Sequence, residues 1–187
     1  MTTILKPCSV PWTISPSMGG VTLHHAQDDE PECSVVFGGS RLTESDTYDQ
    51  RRIELTFEQV CYARIGPHPD DKNIEAIGYK IDRMDNGYDG PDDNLIHYNW
   101  SHKYWQSKGI CLHSGFYYAT ESDWLSNLKT HDTYLQDNYR HYVIDDRDGY
   151  IELLAKSYSW NEWMWTSGHR EDAIKTSDVV FSGKGTV

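Results

Sequence analysis

The sequence predicts a single α+β domain rich in β-strands, arranged mainly as an antiparallel sheet of sandwich-like or half-barrel-like form with one or two short helices. Three observations support this prediction. The chain has 187 residues, the length of one ordinary domain. Aromatic residues make up 13% of it, enough to build a core although aliphatic residues are few. Several short runs alternate apolar and polar residues, which is typical of half-buried strands.

Short strands and acidic loops are expected over the first fifty residues. Residues 21–23 and 34–37 are strand-like, and Gly38-Gly39 is predicted to end the second run. Acidic residues crowd the segment from about 27 to 50, and so many like charges cannot be desolvated together. This segment is therefore predicted to form exposed acidic loops.

The next part of the chain contains the clearest strand pattern. Residues 51–57 alternate apolar and charged or polar side chains, which predicts a strand with one buried face. Residues 60–65 form a second β-like run that Gly66-Pro67 is expected to end. Within residues 73–82, a strand over 76–81 is favoured over a short helix.

A long acidic loop is predicted in the middle of the chain. Residues 82–94 are rich in Asp, Asn and Gly, which favour turns. Residues 95–105 are aromatic and are predicted to be β, and residues 115–120 are a further strand candidate. This order places the loop between two strands.

The best helix and the best hairpin are predicted in the last third. Ser122 can cap a helix over residues 123–128, and Asp123 favours its positive end. Residues 141–144 and 150–155 are β runs joined by an acidic loop that ends in Gly149, an ordinary hairpin connection. A last strand is possible at 179–181, and the tail from about residue 182 is expected to fray.

Charge and cysteine content restrict the classes of ligand and the cellular compartment that are expected for this protein. The chain carries 29 Asp and Glu against 17 Lys and Arg, a net charge of −12. This balance argues against direct binding of nucleic acid, which needs a basic face, and favours a basic protein partner. The sequence shows no membrane span, no secretory signal and no closely spaced cysteine pair for zinc. A cytoplasmic location with reduced thiols is expected.

Two groups of residues are weak candidates for divalent metal, although no cofactor is expected. The first combines histidine and carboxylate, which suits zinc, manganese or iron, and needs a further ligand such as His97 or His113. The second offers carboxylate oxygen to calcium from the 82–94 loop but does not fit an EF-hand. The candidate ligands are His68, Asp70 and Asp71 in the first group, and Asp85, Asp89 and Asp92 in the second.

A tryptophan-rich surface is the leading candidate for partner binding. Tryptophan is enriched at the energetic centres of interfaces, and acidic loops would attract a basic surface. The alternative is that these rings replace the missing aliphatic core. The candidate residues are Trp160, Trp163, Trp165, Trp100, Trp105, Asp145, Asp146 and Asp148.

No motif for a nucleophile or a phosphate-binding loop is present in the sequence, so no catalytic residue is assigned. The sequence favours a non-enzymatic acidic interaction protein of the immunity or inhibitor type, which binds a basic protein. One alternative is a small metal-dependent enzyme. Another is a carbohydrate-binding β-domain, since Trp and Tyr faces stack on sugar rings.

Overall fold

The computed structural model describes residues 3–15, 22–25, 32–67, 74–82, 88–90, 94–135, 138–146, 149–164 and 181–185. These residues form twelve strands, two α-helices and two short 3₁₀ turns, so the fold is α+β and strand-rich, as predicted. The strands are β1 (Ile4–Pro7), β2 (Trp12–Ile14), β3 (Thr22–His25), β4 (Glu32–Leu42), β5 (Tyr48–Glu58), β6 (Tyr62–Pro67), β7 (Lys80–Ile81), β8 (Phe116–Glu121), β9 (Arg140–Asp145), β10 (Gly149–Ala155), β11 (Ser157–Met164) and β12 (Phe181–Gly185). The helices are α1 (Asn94–Lys108) and α2 (Asp123–Lys129), and the 3₁₀ turns are Ile74–Ile77 and Thr133–Leu135.

The strands form two mainly antiparallel sheets that are continuous at one corner. The first sheet has the order β6-β10-β9-β8-β1-β7, with only β1 and β7 parallel among these pairs. The second has the order β12-β11-β5-β4-β2, and β3 also pairs with β4. At the corner, the backbone N–H of Lys156 donates to Glu58 and that of Cys61 donates to Leu154. The paired strands therefore cross together from one sheet to the other, which curls the structure into the predicted half-barrel.

The main core lies between the two sheets and is built largely from aromatic rings. Trp12, Phe57, Phe116 and Tyr142 are fully buried. The ring of Phe116 lies 6.0 Å from each of the other three rings, and 4.9 Å from Tyr158. Each such pair contributes roughly 0.5–1.5 kcal/mol beyond its buried area. Aromatic side chains thus supply the core that the aliphatic content alone would not.

The predicted strand over 51–57 is confirmed and belongs to β5. Ile53, Leu55 and Phe57 are fully buried, while the intervening side chains are partly exposed. The prediction that Gly38-Gly39 ends the preceding strand is wrong, because β4 runs through both. A Cβ atom on Gly39 would lie 2.9 Å from the Thr13 carbonyl oxygen, so glycine here permits close approach of β2.

The acidic segment from 27 to 50 is not one continuous loop. Strands β4 and β5 occupy most of its described part, and residues 43–47 form the turn between them. Glu44 and Asp46 lie in that turn and are exposed, so their charges stay hydrated while the strands pair. The like-charge argument correctly predicts exposure of these carboxylates but not the extent of the loop.

The prediction of a strand at 95–105 is wrong, because these residues belong to α1. Ser101 and Trp105 are buried, four residues apart, which is the helical period. The Ser101 hydroxyl donates to the carbonyl oxygen of His97, a contact made within helices. Gly109, with φ of +68°, follows the helix, and its N–H donates to the Trp105 carbonyl oxygen. Periodic burial outweighs the strand preference of the aromatic residues.

The prediction of a strand over residues 76–81 is also largely wrong. A 3₁₀ turn covers Ile74–Ile77, and Gly78 has a φ of +94°. Only Lys80 and Ile81 form a strand, β7, which pairs with β1. The buried side chain of Ile74 packs against Leu5, so tertiary packing of the turn decides this segment.

The predicted helix and hairpin of the last third are confirmed. The hydroxyl of Ser122 accepts the backbone N–H of Leu125 at 3.0 Å and caps α2. Strands β9 and β10 pair around the acidic connection, and the N–H of Asp146 donates to Gly149. In the part of the chain that the structure describes, no helix is long and apolar enough to cross a membrane.

Candidate functional site

The tip of the β4–β5 hairpin docks against helix α1. The turn at 43–47 is closed by a bond from the Thr43 N–H to the Thr47 carbonyl, and the hydroxyls of these two residues lie 2.8 Å apart. Asp46 in this turn has a φ of +59°, a conformation that costs a non-glycine residue roughly 1–2 kcal/mol. The turn thus holds the Asp46 side chain in a defined place.

Asp46 connects the turn to α1 through two hydrogen bonds. One of its carboxylate oxygens, Oδ1, lies 2.8 Å from Nε2 of His102 and 2.7 Å from the side-chain nitrogen of Gln106. These partners are one helical turn apart. Because the two bonds share one oxygen, Asp46 fixes the position of the hairpin tip along the helix.

The imidazole of His102 contacts Tyr48 as well as Asp46. Its Nδ1 atom lies 3.2 Å from the Tyr48 hydroxyl. Desolvation and a hydrogen bond with Tyr98 raise the pKa of Tyr48 to about 12, so its phenol is protonated at neutral pH. The donor in the contact between Nδ1 and Tyr48 depends on the imidazole tautomer, and the contact of Nε2 with Asp46 holds the ring in place. The Tyr48 ring is thereby oriented at the edge of a cavity.

That cavity has a volume of about 510 Å³ and lies between α1, the β2–β4 pair and the segment at 111–113. This is within the range of small-molecule sites, roughly 300–1,000 Å³. Its lining combines three aromatic rings, two imidazoles and several hydroxyls, and contains no Asp, Glu, Lys or Arg. The lining residues are Thr13, Ile14, Ser15, Ser40, Tyr48, Tyr98, Ser101, His102, Trp105, Cys111, Leu112 and His113.

Hydrogen bonds fix the inner wall of the cavity. Nε2 of His113 lies 3.1 Å from the Ser101 hydroxyl, and the Thr13 hydroxyl donates to the His113 carbonyl at 2.8 Å. The indole N–H of Trp105 donates to the Pro11 carbonyl at 3.0 Å. Burial raises the pKa of the Cys111 thiol to about 12, so this thiol is protonated and is a poor nucleophile. These contacts hold the wall in a fixed arrangement.

A surface of exposed apolar side chains, which we call the rim, extends from Tyr48 and Tyr98 at the edge of the cavity to Leu95 and Ile96 on the first turn of α1. Their exposed fractions are 49%, 55%, 68% and 47%, in that order. Leu95 and Tyr98 are neighbours on α1, and Tyr98 bonds to Tyr48 across to the hairpin. Clustered exposed apolar side chains of this kind mark interaction sites more often than single ones.

Four of the five predicted partner-binding tryptophans lie on two elements that the structure describes, α1 and β11. Trp100 and Trp105 belong to α1: Trp100 packs 5.2 Å from the Tyr88 ring, and Trp105 is 8% exposed in the cavity wall. Trp160 and Trp163 belong to β11, where the Trp160 N–H donates to the buried carboxylate of Glu162. Trp165 lies outside the described residues.

The remaining predicted site residues are only partly described. Asp145 ends β9 and Asp146 follows it, both partly buried, while Asp89 is exposed near the start of α1. In the described ranges, no group of three or more His, Cys, Asp or Glu is placed to hold a metal. The predicted residues outside these ranges are Asp148, His68, Asp70, Asp71, Asp85 and Asp92.

A second polar cluster lies under α2, on the face of the first sheet that points away from the main core. The Ser122 hydroxyl lies 2.8 Å from Nδ1 of His141, whose Nε2 is 3.6 Å from the Glu152 carboxylate. Glu152 also accepts hydrogen bonds from Arg64 and Tyr79. Burial first, and then the charge of Arg64, lower the pKa of His141 to about 3, so the imidazole is neutral.

This cluster has the residue types of a nucleophilic triad but the environment of a structural network. His141 and Glu152 are both fully buried, and the oxygen of Ser122 is used to cap α2. Arg64, which neutralises Glu152, lies over the Trp124 ring, with its Cζ atom 4.2 Å from the ring centroid. The cluster therefore joins α2 to the sheet, and the cavity is the stronger candidate for a functional site.

No family model, curated protein or solved structure matches this chain. Sequence reasoning did not assign Tyr48, Asp46, Ser101 or His102 to a site. The usable signal was the spacing of His97, Ser101 and Trp105, which places these side chains on one helical face. The pairing of α1 with a turn about fifty residues away carries no local signal.

Proposed function

We propose that this protein is a non-enzymatic binding protein that takes a basic protein partner at the rim. The observation that supports the proposal is the cluster of exposed apolar side chains beside the acidic hairpin tip. The four rim residues would supply the desolvated centre of the interface. An immunity-type or inhibitor-type role fits, because an enzyme that acts on nucleic acid presents a basic cleft.

The charges around the rim favour a basic partner. Glu44 and Asp46 lie in the hairpin tip, Asp89 lies near the start of α1, and Lys103 is the nearest basic residue along the helix. The whole chain adds a net charge of −12. Such a field speeds association with a basic surface and discourages acidic ones. A cytoplasmic location belongs to the same proposal, supported by four free cysteines, of which three are buried.

Affinity capture followed by titration tests this proposal. The immobilised protein is exposed to lysate at low ionic strength, and each retained protein is purified and titrated. We expect a partner rich in Lys and Arg whose Kd rises at least about tenfold between about 0.05 M and 0.5 M salt, because screening removes the attraction. The double variant Leu95→Ser/Ile96→Ser should weaken binding by about tenfold or more, because it removes apolar contact area.

The matched control is Tyr134→Ser, which removes a 91% exposed aromatic side chain from a 3₁₀ turn outside the rim. This variant should bind as tightly as the wild type. Equal affinity of the rim double variant and the control, or a partner whose binding does not respond to salt, would contradict the proposal.

The metal-dependent enzyme is the alternative proposal. Its first ligands would be His68, Asp70 and Asp71, which lie outside the described residues, with His97 or His113 completing the set. The rings of His97 and His113 lie 5.2 Å apart. This proximity supports joint use of the two imidazoles, while Ser101 already contacts one of them. A carbohydrate-binding role is favoured by a different observation, the neutral aromatic lining of the cavity.

A further inference from the structure

We infer that the cavity behind the rim binds a neutral, hydroxyl-bearing ring, of the chemical class of an uncharged sugar. This inference rests on the carbohydrate-binding alternative and is independent of the proposed protein partner. Tyr48 and Tyr98 belong to both the rim and the lining, but Leu95 and Ile96, which test the partner, do not line the cavity. Four properties of the lining lead to the inference: charge, hydrogen-bonding groups, ring geometry and preorganisation.

The absence of Asp, Glu, Lys and Arg from the lining selects against charged ligands. None of its twelve residues is Asp, Glu, Lys or Arg. A phosphate or carboxylate group would lose its hydration without gaining a counter-charge, which is costly. The carboxylate of Asp46, which contacts the lining residue His102, accepts hydrogen bonds from both His102 and Gln106. It is therefore engaged and offers little attraction to a cation in the cavity.

The hydrogen-bonding groups of the lining match those of a sugar. Serine, threonine and tyrosine hydroxyls can each donate and accept, as ligand hydroxyls do. Hydroxyls are contributed to the lining by Ser15, Ser40, Tyr48, Tyr98 and Ser101. The hydroxyl of Ser101 already donates to the His97 carbonyl, so towards a ligand it is an acceptor. A neutral ligand with several hydroxyls could pair with more than one of these groups, and each bond would replace one made to water.

The aromatic rings form a corner and not a parallel-walled slot. The ring centroids of Tyr48 and Trp105 are 5.9 Å apart, with their planes tilted by 51°. A flat heterocycle is enclosed best between two parallel ring faces, which this corner does not offer. A puckered sugar ring instead presents C–H groups on one face and hydroxyls around its edge, which fits an aromatic corner beside a polar wall.

Trp105 is held in a fixed position in the cavity wall, as expected for a preorganised binding site. This side chain is 8% exposed, and its N–H is bound to the Pro11 carbonyl, so the indole is held in place before any ligand arrives. Tyr48 is likewise oriented by His102. Preorganisation of both rings reduces the entropy that binding would otherwise lose.

The test is a titration of the full chain with uncharged methyl glycosides of glucose, galactose, mannose and N-acetylglucosamine, followed by amide NMR and by calorimetry. We expect saturable binding of at least one glycoside, with shifts at residues 98–105 and 111–113. Glucuronate and glucose 6-phosphate should bind at least about tenfold more weakly than their neutral counterparts, because the lining offers no counter-charge.

Two variants localise the binding. Ser40→Leu fills the cavity and should weaken glycoside binding at least about tenfold, whereas Ser126→Leu, the same change on the exposed face of α2, should not. Amide spectra of both variants establish that they fold. The inference is overturned if no glycoside binds, if charged sugars bind equally well, or if Ser40→Leu leaves the affinity unchanged. None of these three outcomes changes the result expected when the Leu95→Ser/Ile96→Ser variant is titrated with the protein partner.

Discussion

Burial of His141 ties the stability of the fold to pH at the scale of a single residue. The imidazole contacts the Ser122 hydroxyl on one side and faces Glu152 on the other, with Arg64 and Tyr79 bound to the same carboxylate. Because Arg64 already balances the charge of Glu152, a proton on His141 would be an excess buried charge. The pKa of His141 accordingly falls from 6.5 to about 3.

This shift predicts that stability falls as the pH drops below about 6.5. In that range the unfolded chain binds a proton at His141 and the folded chain does not, so the free energy of unfolding decreases with falling pH. The loss reaches roughly 2 kcal/mol at about pH 5 and continues towards about pH 3. Urea unfolding at several pH values measures it.

The comparison variant is His141→Asn, whose amide can still accept from Ser122. It should be less stable than the wild type at pH 7, but its stability should depend less on pH between 5 and 6.5, because this proton is no longer taken up on unfolding. Identical pH dependence in the two proteins would show that His141 is not the responsible group.

At the scale of secondary structure, α1 is the element on which the candidate site depends. It carries five of the residues that form the cavity or hold the hairpin tip: Tyr98, Ser101, His102, Trp105 and Gln106. Its end is defined by Gly109, where φ is +68° and an added Cβ would have no atom within 4 Å. Only backbone conformation therefore opposes a larger residue there.

Gly109→Ala is expected to destabilise the protein by about 1 kcal/mol, because alanine adopts positive φ poorly and no clash adds to the cost. Denaturant unfolding gives this value, with Lys108→Ala as the control at an exposed helical position. A loss well above about 3 kcal/mol, or none at all, would contradict a purely conformational origin.

The same helix shows what sequence could and could not predict. The strand β5, the capped helix α2 and the β9–β10 hairpin follow local rules of alternation, capping and turn composition, and these predictions are confirmed. The aromatic residues of α1 fit both a strand and a helix, so only the buried pair Ser101 and Trp105 decides between them. The cavity needs β2, β4 and α1 together, and their contacts depend on long-range packing.

At the scale of the whole molecule, melting of the intact chain tests all candidate metal ligands at once, including those outside the described residues. We expect no more than a small change in Tm on adding EDTA, calcium, zinc or manganese, because the 82–94 loop does not fit an EF-hand and the His68, Asp70 and Asp71 group needs a further ligand. A metal at about 100 times its Kd would instead stabilise the fold by roughly 2.7 kcal/mol. For a chain of this length that is about 5–10 °C.

Two variants assign any shift that is found. His68→Ala would abolish a shift caused by zinc or manganese if the His68, Asp70 and Asp71 group binds the ion, and Asp85→Asn would abolish one caused by calcium in the 82–94 loop. Such a result would favour the enzyme alternative for the first group and a structural ion for the second. An unchanged Tm across all ions would contradict the metal-dependent alternative and leave the rim and the cavity as the candidate binding sites among the described residues.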